Sequence, residues 1–159
     1  MVKALQGRVP EVFPWELADE LASGDATLLL DIRCPHEFAQ AHIAGSLNVP
    51  RGILEIAVDY GYDETEPRLV EARDTRVVVL CRSGNRSLLA AHTLGLMGFS
   101  NPVSLRTGLR GWNDDEYPLV DGGGRWIDPD RAERLLASSL TPAQRGPQEV
   151  AANPARPSA

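Results

Sequence analysis

Three short apolar runs, each followed by polar residues, organise most of the chain. The runs "TLLLDIR" (27–33) and "RVVVLC" (76–81) have the length of strands and are rich in aliphatic residues. Continuous apolar runs of this kind are typical of strands that are buried on both faces of a parallel sheet. A third run, "PVSL" (102–105), predicts one more short strand.

Helix-like segments alternate with these runs. "PWELADELASG" (14–24) precedes the first strand, "PHEFAQAHI" (35–43) follows it, and "NRSLLAAHTLGLMG" (85–98) follows the second. Strands that alternate with helices predict βαβ units with right-handed crossovers. The predicted fold class is therefore α/β, with a central parallel sheet flanked by helices on both faces. In the segment 85–98 the predicted apolar face consists of Leu88, Leu89, His92, Leu96 and Met97.

The pattern changes after Pro118. "DGGGR" (121–125) predicts a flexible link, and "DPDRAERLLASSL" (128–140) predicts an amphipathic helix with Asp128 as its N-cap. We expect this helix to pack on the core of its own domain, and we expect Trp112 and Trp126 to be packing residues. The predicted divisions are a main domain at 1–120, a Gly-rich link and C-terminal helix at 121–140, and a disordered tail at 141–159.

Composition narrows the possible functions. The 159 residues suit one domain with a short extension, and the net charge of -6 argues against nucleic acid as a partner. No apolar stretch has the length of a membrane span, and the first residues are too polar for a signal peptide, so we expect a cytoplasmic protein that does not bind membranes. Cys34 and Cys81 lack the spacing of a zinc site, so we expect free thiols, with no metal and no cofactor.

The segment "LCRSGNRS" (80–87) carries the clearest chemical signal. Cys81 ends a predicted strand, and the loop after it leads into a helix N-terminus, where free N–H groups and the helix dipole favour a thiolate. Gly84 allows the backbone N–H groups to turn inward, and Arg82 and Arg86 supply cationic donors. These residues alone leave two interpretations open: a reactive thiol in an anion-binding loop, or a small buried cysteine followed by solvated arginines.

Three motifs taken together resemble the rhodanese-like sulfurtransferases over roughly residues 8–118. "LLLDIRCPHEFAQAHIAGSLNVP" (28–50) is similar to the family's N-terminal signature, "CRSGNRS" (81–87) to its active-site loop, and "LRTGLRGW" (105–112) to its closing signature. Thr107 departs from the pattern, because the family usually has the first of two glycines there. Cys34 stands where an acidic or small polar residue is more usual.

The resemblance implies a mechanism of sulfur transfer. The thiolate of Cys81 would attack the outer sulfur of a small anionic donor such as thiosulfate and become a persulfide. A thiol, cyanide or a sulfur-carrier protein would then accept the sulfur. The substrate-binding loop implied by the family consists of Arg82, Ser83, Gly84, Asn85, Arg86 and Ser87, with Asp31, Arg33 and Cys34 as supporting residues.

The length of the loop discriminates between related chemistries. Rhodanese-like phosphatases and arsenate reductases place the arginine one residue further from the cysteine, whereas the run from Cys81 to Arg86 has the shorter C-x4-R form. This spacing favours sulfur over phosphate. The alternatives are a noncatalytic interaction or sulfur-sensing module and, with less support, a phosphatase or arsenate reductase.

The supporting residues have specific predicted roles. Asp31 is predicted to brace the active loop by accepting hydrogen bonds, and Arg33 is predicted to form a structural ion pair with Glu37. His42 is interpreted as a structural histidine, since a low-pKa thiol needs no dedicated base. Cys34 is hypothesised to resolve a persulfide on Cys81 into a disulfide.

Overall fold

Five parallel strands form one sheet in the computed structural model, which describes residues 1–147. The three central strands are those predicted from the apolar runs, and the two edge strands, of two residues each, were too short to predict. This confirms the predicted fold class. In chain order the strands are Glu11–Val12 (β1), Thr27–Asp31 (β2), Leu47–Asn48 (β3), Arg76–Leu80 (β4) and Asn101–Leu105 (β5). Their order in the sheet is β1-β5-β4-β2-β3.

Helices cover both faces of this sheet. The predicted segments 14–24, 35–43, 85–98 and 128–140 each form a helix, whereas the helix Gly108–Asp114, which begins inside the closing motif, was not predicted. The helices are Val2–Leu5 (α1), Pro14–Ser23 (α2), Pro35–Gln40 (α3), Leu54–Ala57 (α4), Pro67–Val70 (α5), Asn85–Leu96 (α6), Gly108–Asp114 (α7) and Pro129–Leu136 (α8), with short 3-10 turns at Arg51–Ile53 and Ala143–Arg145.

Strand β4 separates two hydrophobic clusters. Val77 and Val79 face the cluster that contains α1, α4, α5 and α6, while Val78 and Leu80 face the cluster that contains α2, α7 and α8. The alternation follows from the two-residue period of side chains in a strand. Every residue of the run 77–80 is therefore buried, which explains why the sequence shows a continuous apolar run there.

The buried face of α6 differs from the predicted one. Leu88 is buried as expected, but Leu96 is 76% exposed and His92 is also exposed. The helix instead places Ala90, Ala91 and Leu94 against the sheet. Small residues allow the helix to approach the sheet closely, whereas the prediction gave weight only to the larger side chains.

The C-terminal helix packs on the domain's own core, as predicted. Ala132 and Leu136 lie in the same cluster as Trp112, and the carboxylate of Asp128 caps α8 by accepting the N–H groups of Asp130 and Arg131 at 3.0 and 3.3 Å. The helix ends at Leu136 rather than at residue 140. The prediction that Trp126 packs is wrong, because its side chain is 63% exposed, whereas Trp112 is buried as expected.

The Gly-rich segment 121–125 forms a turn around one carboxylate. Oδ1 of Asp121 accepts the backbone N–H groups of Gly123 and Arg125 at 2.9 and 3.0 Å.

The predicted tail, 141–159, contains a 3-10 turn at Ala143–Arg145, and its residues 148–159 lie outside the described part of the chain. Within residues 1–147, no helix is long and apolar enough to cross a membrane.

Candidate active site

The Cys81 sulfur lies inside a cradle of backbone N–H groups. Cys81 follows β4 directly, at the carboxyl edge of the sheet, and is only 1% exposed. Its Sγ accepts the N–H of Gly84 at 3.1 Å and the N–H of Ser87 at 3.3 Å. Gly84 is the residue just before α6, and Ser87 lies in its first turn, where N–H groups have no partner within the helix. Such an arrangement stabilises negative charge on sulfur.

A pair of buried hydroxyl groups completes the cradle. Oγ of Ser87 lies 3.3 Å from Sγ of Cys81, donates to the carbonyl of Gly84 at 3.2 Å, and lies 2.8 Å from Oγ of Ser104. Both serines are fully buried. Sequence reasoning missed Ser104, although a lone polar residue within the apolar run 102–105 is a signal that could have identified it.

A second segment holds this cradle in place. We call residues 81–87 the cysteine loop and residues 105–111 the supporting turn. In the supporting turn, the N–H of Leu109 donates to the carbonyl of Cys81 at 2.9 Å, and the N–H of Arg110 donates to the carbonyl of Arg82 at 3.0 Å. These two bonds anchor the start of the cysteine loop to the N-terminus of α7.

Two glycines permit this close approach. Gly84 has a φ of 93°, and a Cβ on it would lie 3.0 Å from the backbone nitrogen of Thr107. Gly108 has a φ of 63°, and a Cβ on it would lie 2.6 Å from the carbonyl oxygens of Cys81 and Arg82. Side chains at these positions would be strained by the left-handed backbone and would also separate the cysteine loop from the supporting turn.

Neither arginine of the cysteine loop makes a hydrogen bond to the Cys81 sulfur. Arg86 is about half-exposed, and its Nη2 lies 3.3 Å from Oε1 of Glu37. Arg82 is half-buried, and its Nε is buried with no hydrogen-bond acceptor within residues 1–147. Ser83 and Asn85 are exposed. Backbone N–H groups, rather than the guanidinium groups, therefore make the direct contacts with Sγ.

The structure corrects the predicted roles of Asp31 and Arg33. Nε and Nη2 of Arg33 donate to the Asp31 carboxylate, with Nη2 to Oδ2 at 2.7 Å, and Nη2 also donates to the carbonyl of Ala41 at 2.6 Å. The expected pair of Arg33 with Glu37 is therefore wrong. The Asp31 carboxylate accepts from Arg33 and not from the cysteine loop, so it braces the strand end instead. Both residues are buried.

Glu37 connects α3 to the cysteine loop. Its Oε2 accepts the backbone N–H of Cys34 at 3.1 Å, while Oε1 faces Arg86. Burial raises the pKa of Glu37, but hydrogen bonds from Arg86 and from the Cys34 N–H, together with the positive charges of Arg86 and Arg33, lower it by more, so the pKa lies below its ordinary value. Cys34 itself is an exposed thiol at the start of α3.

His42 has a structural role, as interpreted from the sequence. Its Nδ1 lies 2.8 Å from the carbonyl of Phe38, and the two rings stack with centroids 3.8 Å apart.

No cluster of three or more His, Cys, Asp or Glu side chains suited to a metal ion occurs in residues 1–147.

The fold and the cysteine cradle define the class of protein. A thiol held by N–H groups at the carboxyl edge of a parallel sheet, before a helix N-terminus, is typical of proteins that use a cysteine thiolate in an anion-binding loop. A sequence model of the rhodanese-like domain matches residues 14–115, so the chain belongs to the rhodanese-like family.

Curated relatives with this domain differ in their overall length. A sulfurtransferase from Allochromatium vinosum is 34% identical over 113 residues, which are 70% of this chain and 95% of the relative. An adenylyltransferase and sulfurtransferase from Zea mays is 38% identical over 104 residues, 65% of this chain, but the chain spans only 20% of that protein. The match to the maize protein is therefore a match to one part of a larger enzyme.

Two solved structures are similar to this chain in both fold and sequence. A human single-domain sulfurtransferase is 30% identical with a TM-score of 0.57, and the match covers 67% of this chain and 96% of that one. A protein from Rhodopseudomonas palustris, described as a possible tyrosine phosphatase, is 27% identical with a TM-score of 0.68, over 75% of this chain and 90% of that one.

Proposed function

We propose that the protein moves sulfane sulfur through a persulfide on Cys81. The observation that carries the proposal is the pair of N–H groups, from Gly84 and Ser87, that point at Sγ within 3.3 Å. They can stabilise the resting thiolate and the negative charge that returns to the same sulfur when the persulfide is discharged. Membership of a family with relatives described as sulfurtransferases supports the same reaction.

The reaction balances without any cofactor. The Cys81 thiolate attacks the outer sulfur of thiosulfate, a Cys81–S–S bond forms, and the bond to the central sulfur breaks to release sulfite. Cyanide or a thiolate then attacks the outer sulfur of the persulfide and restores the Cys81 thiolate. Arg82 and Arg86 attract the anionic donor to the mouth of the cysteine loop.

Intact mass spectrometry tests this proposal. We expect incubation with thiosulfate to add one sulfur atom and subsequent cyanide to remove it with formation of thiocyanate. Both events should disappear in Cys81→Ser. Cys34→Ser is the matched control, because it removes the other thiol and should still gain the sulfur. A protein that gains no sulfur but hydrolyses an aryl phosphate or reduces arsenate would be a phosphatase or reductase, and a protein that does neither would be an interaction or sensing module.

A resolving role for Cys34 stays a prediction. Cys34 is exposed, and Glu37 connects its backbone to Arg86 of the cysteine loop. In the resolving step the Cys34 thiol would attack the Cys81 sulfur of the persulfide, forming a Cys34–Cys81 disulfide and releasing hydrogen sulfide. Loaded protein should then lose the added sulfur and two hydrogens in the absence of an acceptor. If the loaded protein never forms this disulfide, Cys34 has no resolving role.

A further inference from the structure

A separate pocket lies beside the cysteine loop, between α3 and the C-terminal end of α8. Its volume is about 270 Å³. Helix α8 lies outside residues 14–115, so this wall of the pocket is not part of the matched family domain. The residues that line it include Arg33, Gln40 and Arg82 on the polar side and Leu135, Leu136 and Ala137 on the apolar side.

Two arginines line this pocket, and one of them has a buried donor without a partner in the described part of the chain. The side chain of Arg33 is only 2% exposed. Its Nε donates to the Asp31 carboxylate, and its Nη2 donates to the carbonyl of Ala41. Its Nη1 makes no hydrogen bond within residues 1–147, but it is not one of the buried atoms that lack a partner there. Nε of Arg82 is buried and lacks an acceptor in this part of the chain. Buried N–H groups normally have a partner, so the Nε of Arg82 indicates that an acceptor is missing beside it.

The charges around the pocket favour an anion. Asp31 neutralises Arg33, and Arg86 neutralises Glu37, which also lines the pocket. Arg82 forms no ion pair within residues 1–147, so the pocket keeps a net positive charge in a chain whose total charge is -6. A carboxylate, with two acceptor oxygens in one plane, matches the fork of a guanidinium group.

The position of the pocket identifies which substrate it fits. Arg82 lines it but Cys81 does not, so a bound group lies beside the sulfur rather than over it. In thiosulfate the oxygens and the transferred sulfur share one central atom, so no chain separates its charge from its reacting sulfur. A thiol that carries a carboxylate on a short chain separates its charge from its reacting sulfur, and the leucines of α8 suit its methylene groups.

We propose that this pocket binds the carboxylate of the sulfur acceptor, so that the preferred acceptors are acidic thiols. The inference rests on the proposed sulfur transfer. In the step concerned, the acceptor thiolate attacks the outer sulfur of the Cys81 persulfide, the S–S bond to Cys81 breaks, and the Cys81 thiolate and an acceptor persulfide form. Arg82 and Arg33 hold the acceptor's carboxylate while its sulfur reaches the cysteine loop.

A single-turnover experiment tests the proposal. Protein preloaded with thiosulfate is discharged with 3-mercaptopropionate or with its neutral amide, 3-mercaptopropionamide, at equal thiolate concentrations. We expect the wild type to react about tenfold faster with the acid, as a charge-assisted hydrogen bond would give. Gln40→Glu adds a negative charge to the pocket at an exposed position, and it should reduce the preference for the acid at least threefold.

Gln6→Glu is the matched control. Gln6 is also exposed and also lies at the end of a short helix, but it does not line the pocket, so this change should leave the preference intact. Equal rates with the acid and the amide in a protein that loads normally would overturn the proposal and leave the persulfide reaction standing. Failure to load would overturn the persulfide reaction itself. If Gln40→Glu and Gln6→Glu reduce the preference for the acid equally, the effect comes from the net charge of the protein and not from the pocket. If Gln40→Glu slows loading with thiosulfate and leaves the preference unchanged, the pocket binds the donor. Either result overturns the proposal.

Discussion

The cysteine loop and the supporting turn lie against each other but contribute differently to the site. The cysteine loop, residues 81–87, directs N–H groups at Sγ of Cys81. The supporting turn, residues 105–111, makes no hydrogen bond to the sulfur, and it binds the carbonyl groups of Cys81 and Arg82 instead. One segment therefore carries the chemistry, and the other fixes the position of the segment that carries it.

This difference separates effects on activity from effects on stability. A change within the cradle that keeps the backbone intact should alter sulfur transfer with little change in the free energy of unfolding. A change in the supporting turn should reduce both, because the same contacts bury backbone atoms and position the cysteine loop. Substitutions in the cradle and in the supporting turn can therefore confirm or contradict this difference.

The largest expected effect is that of Gly108→Ala in the supporting turn. The added Cβ would lie 2.6 Å from the backbone of Cys81 and Arg82, at a φ of 63°. We expect the free energy of unfolding to fall by about 3 to 5 kcal/mol, from left-handed strain and overpacking together. Urea denaturation measures this change, and persulfide formation measured by mass should fall with it.

Gly45→Ala is the control for backbone strain alone. Gly45 has a φ of 81°, but no atom lies within 4 Å of the position of its Cβ. This variant should lose only about 1 to 2 kcal/mol and keep its rate of persulfide formation. If Gly45→Ala and Gly108→Ala are equally destabilised, the close approach of the two segments contributes nothing.

A double-mutant cycle within the supporting turn should give the next largest effect. Thr107 has a φ of 67°, and a Cβ on Gly111 would overlap its side chain, at 1.8 Å from Oγ1 and 2.5 Å from Cβ. Gly111→Ala should therefore destabilise the wild type, but in a Thr107→Gly background it should be neutral or stabilising, since alanine favours a helix. We expect a coupling free energy of about 2 to 3 kcal/mol from chemical denaturation of the four proteins. Additive changes would show that Gly111 is not needed to leave room for the Thr107 side chain.

Ser87→Ala tests the opposite side of the comparison. Its Oγ contacts the Cys81 sulfur and the Gly84 carbonyl, and removing it leaves both N–H donors of the cradle in place. We expect persulfide formation with thiosulfate to slow about tenfold, because the hydroxyl can turn its hydrogen from the Gly84 carbonyl to the Cys81 thiolate and so supply one hydrogen bond to a charged group. Stability should fall by only about 1 kcal/mol.

Ser104→Ala is the matched control for that substitution. It removes the neighbouring hydroxyl, 2.8 Å from Oγ of Ser87, but no atom in contact with the sulfur. Its loading rate should stay within about threefold of the wild-type rate, whereas its stability should change as much as that of Ser87→Ala. A larger loss of activity in Ser104→Ala would show that β5 also takes part in the chemistry and does not only support the cysteine loop.

The difference between the cysteine loop and the supporting turn also explains what the sequence could predict. The cysteine loop is contiguous, and its residues follow a recognisable buried strand, so the position of Cys81 and the cradle of N–H groups could be inferred. The contact between Cys81 and Leu109 could not, because it depends on β5 lying next to β4 in the sheet. Sheet order depends on packing across the whole domain.

The wrong partner of Arg33 has a local cause. Glu37 was the predicted partner, but Arg33 precedes α3 and lies two residues beyond Asp31, whose carboxylate it binds. Side chains two residues apart at a strand end share a face, so the aspartate was already in place. Glu37 is instead the third residue of α3, where its carboxylate binds the Cys34 N–H and faces Arg86.

The smallest expected effect concerns that link between α3 and the cysteine loop. The pKa of Glu37 lies below its ordinary value of 4.5, because its bonds with Arg86 and the Cys34 N–H outweigh burial. A lowered pKa means that this contribution to stability is complete above pH 4.5 and is lost as the pH falls through the lowered pKa. Glu37→Gln should therefore cost about 0 to 1 kcal/mol at pH 7, since the ion pair is partly exposed, and less still near pH 3. Thermal denaturation of both proteins at the two pH values measures the difference. A stability difference that persists unchanged at pH 3 would mean that Glu37 contributes through its packing rather than through its charge.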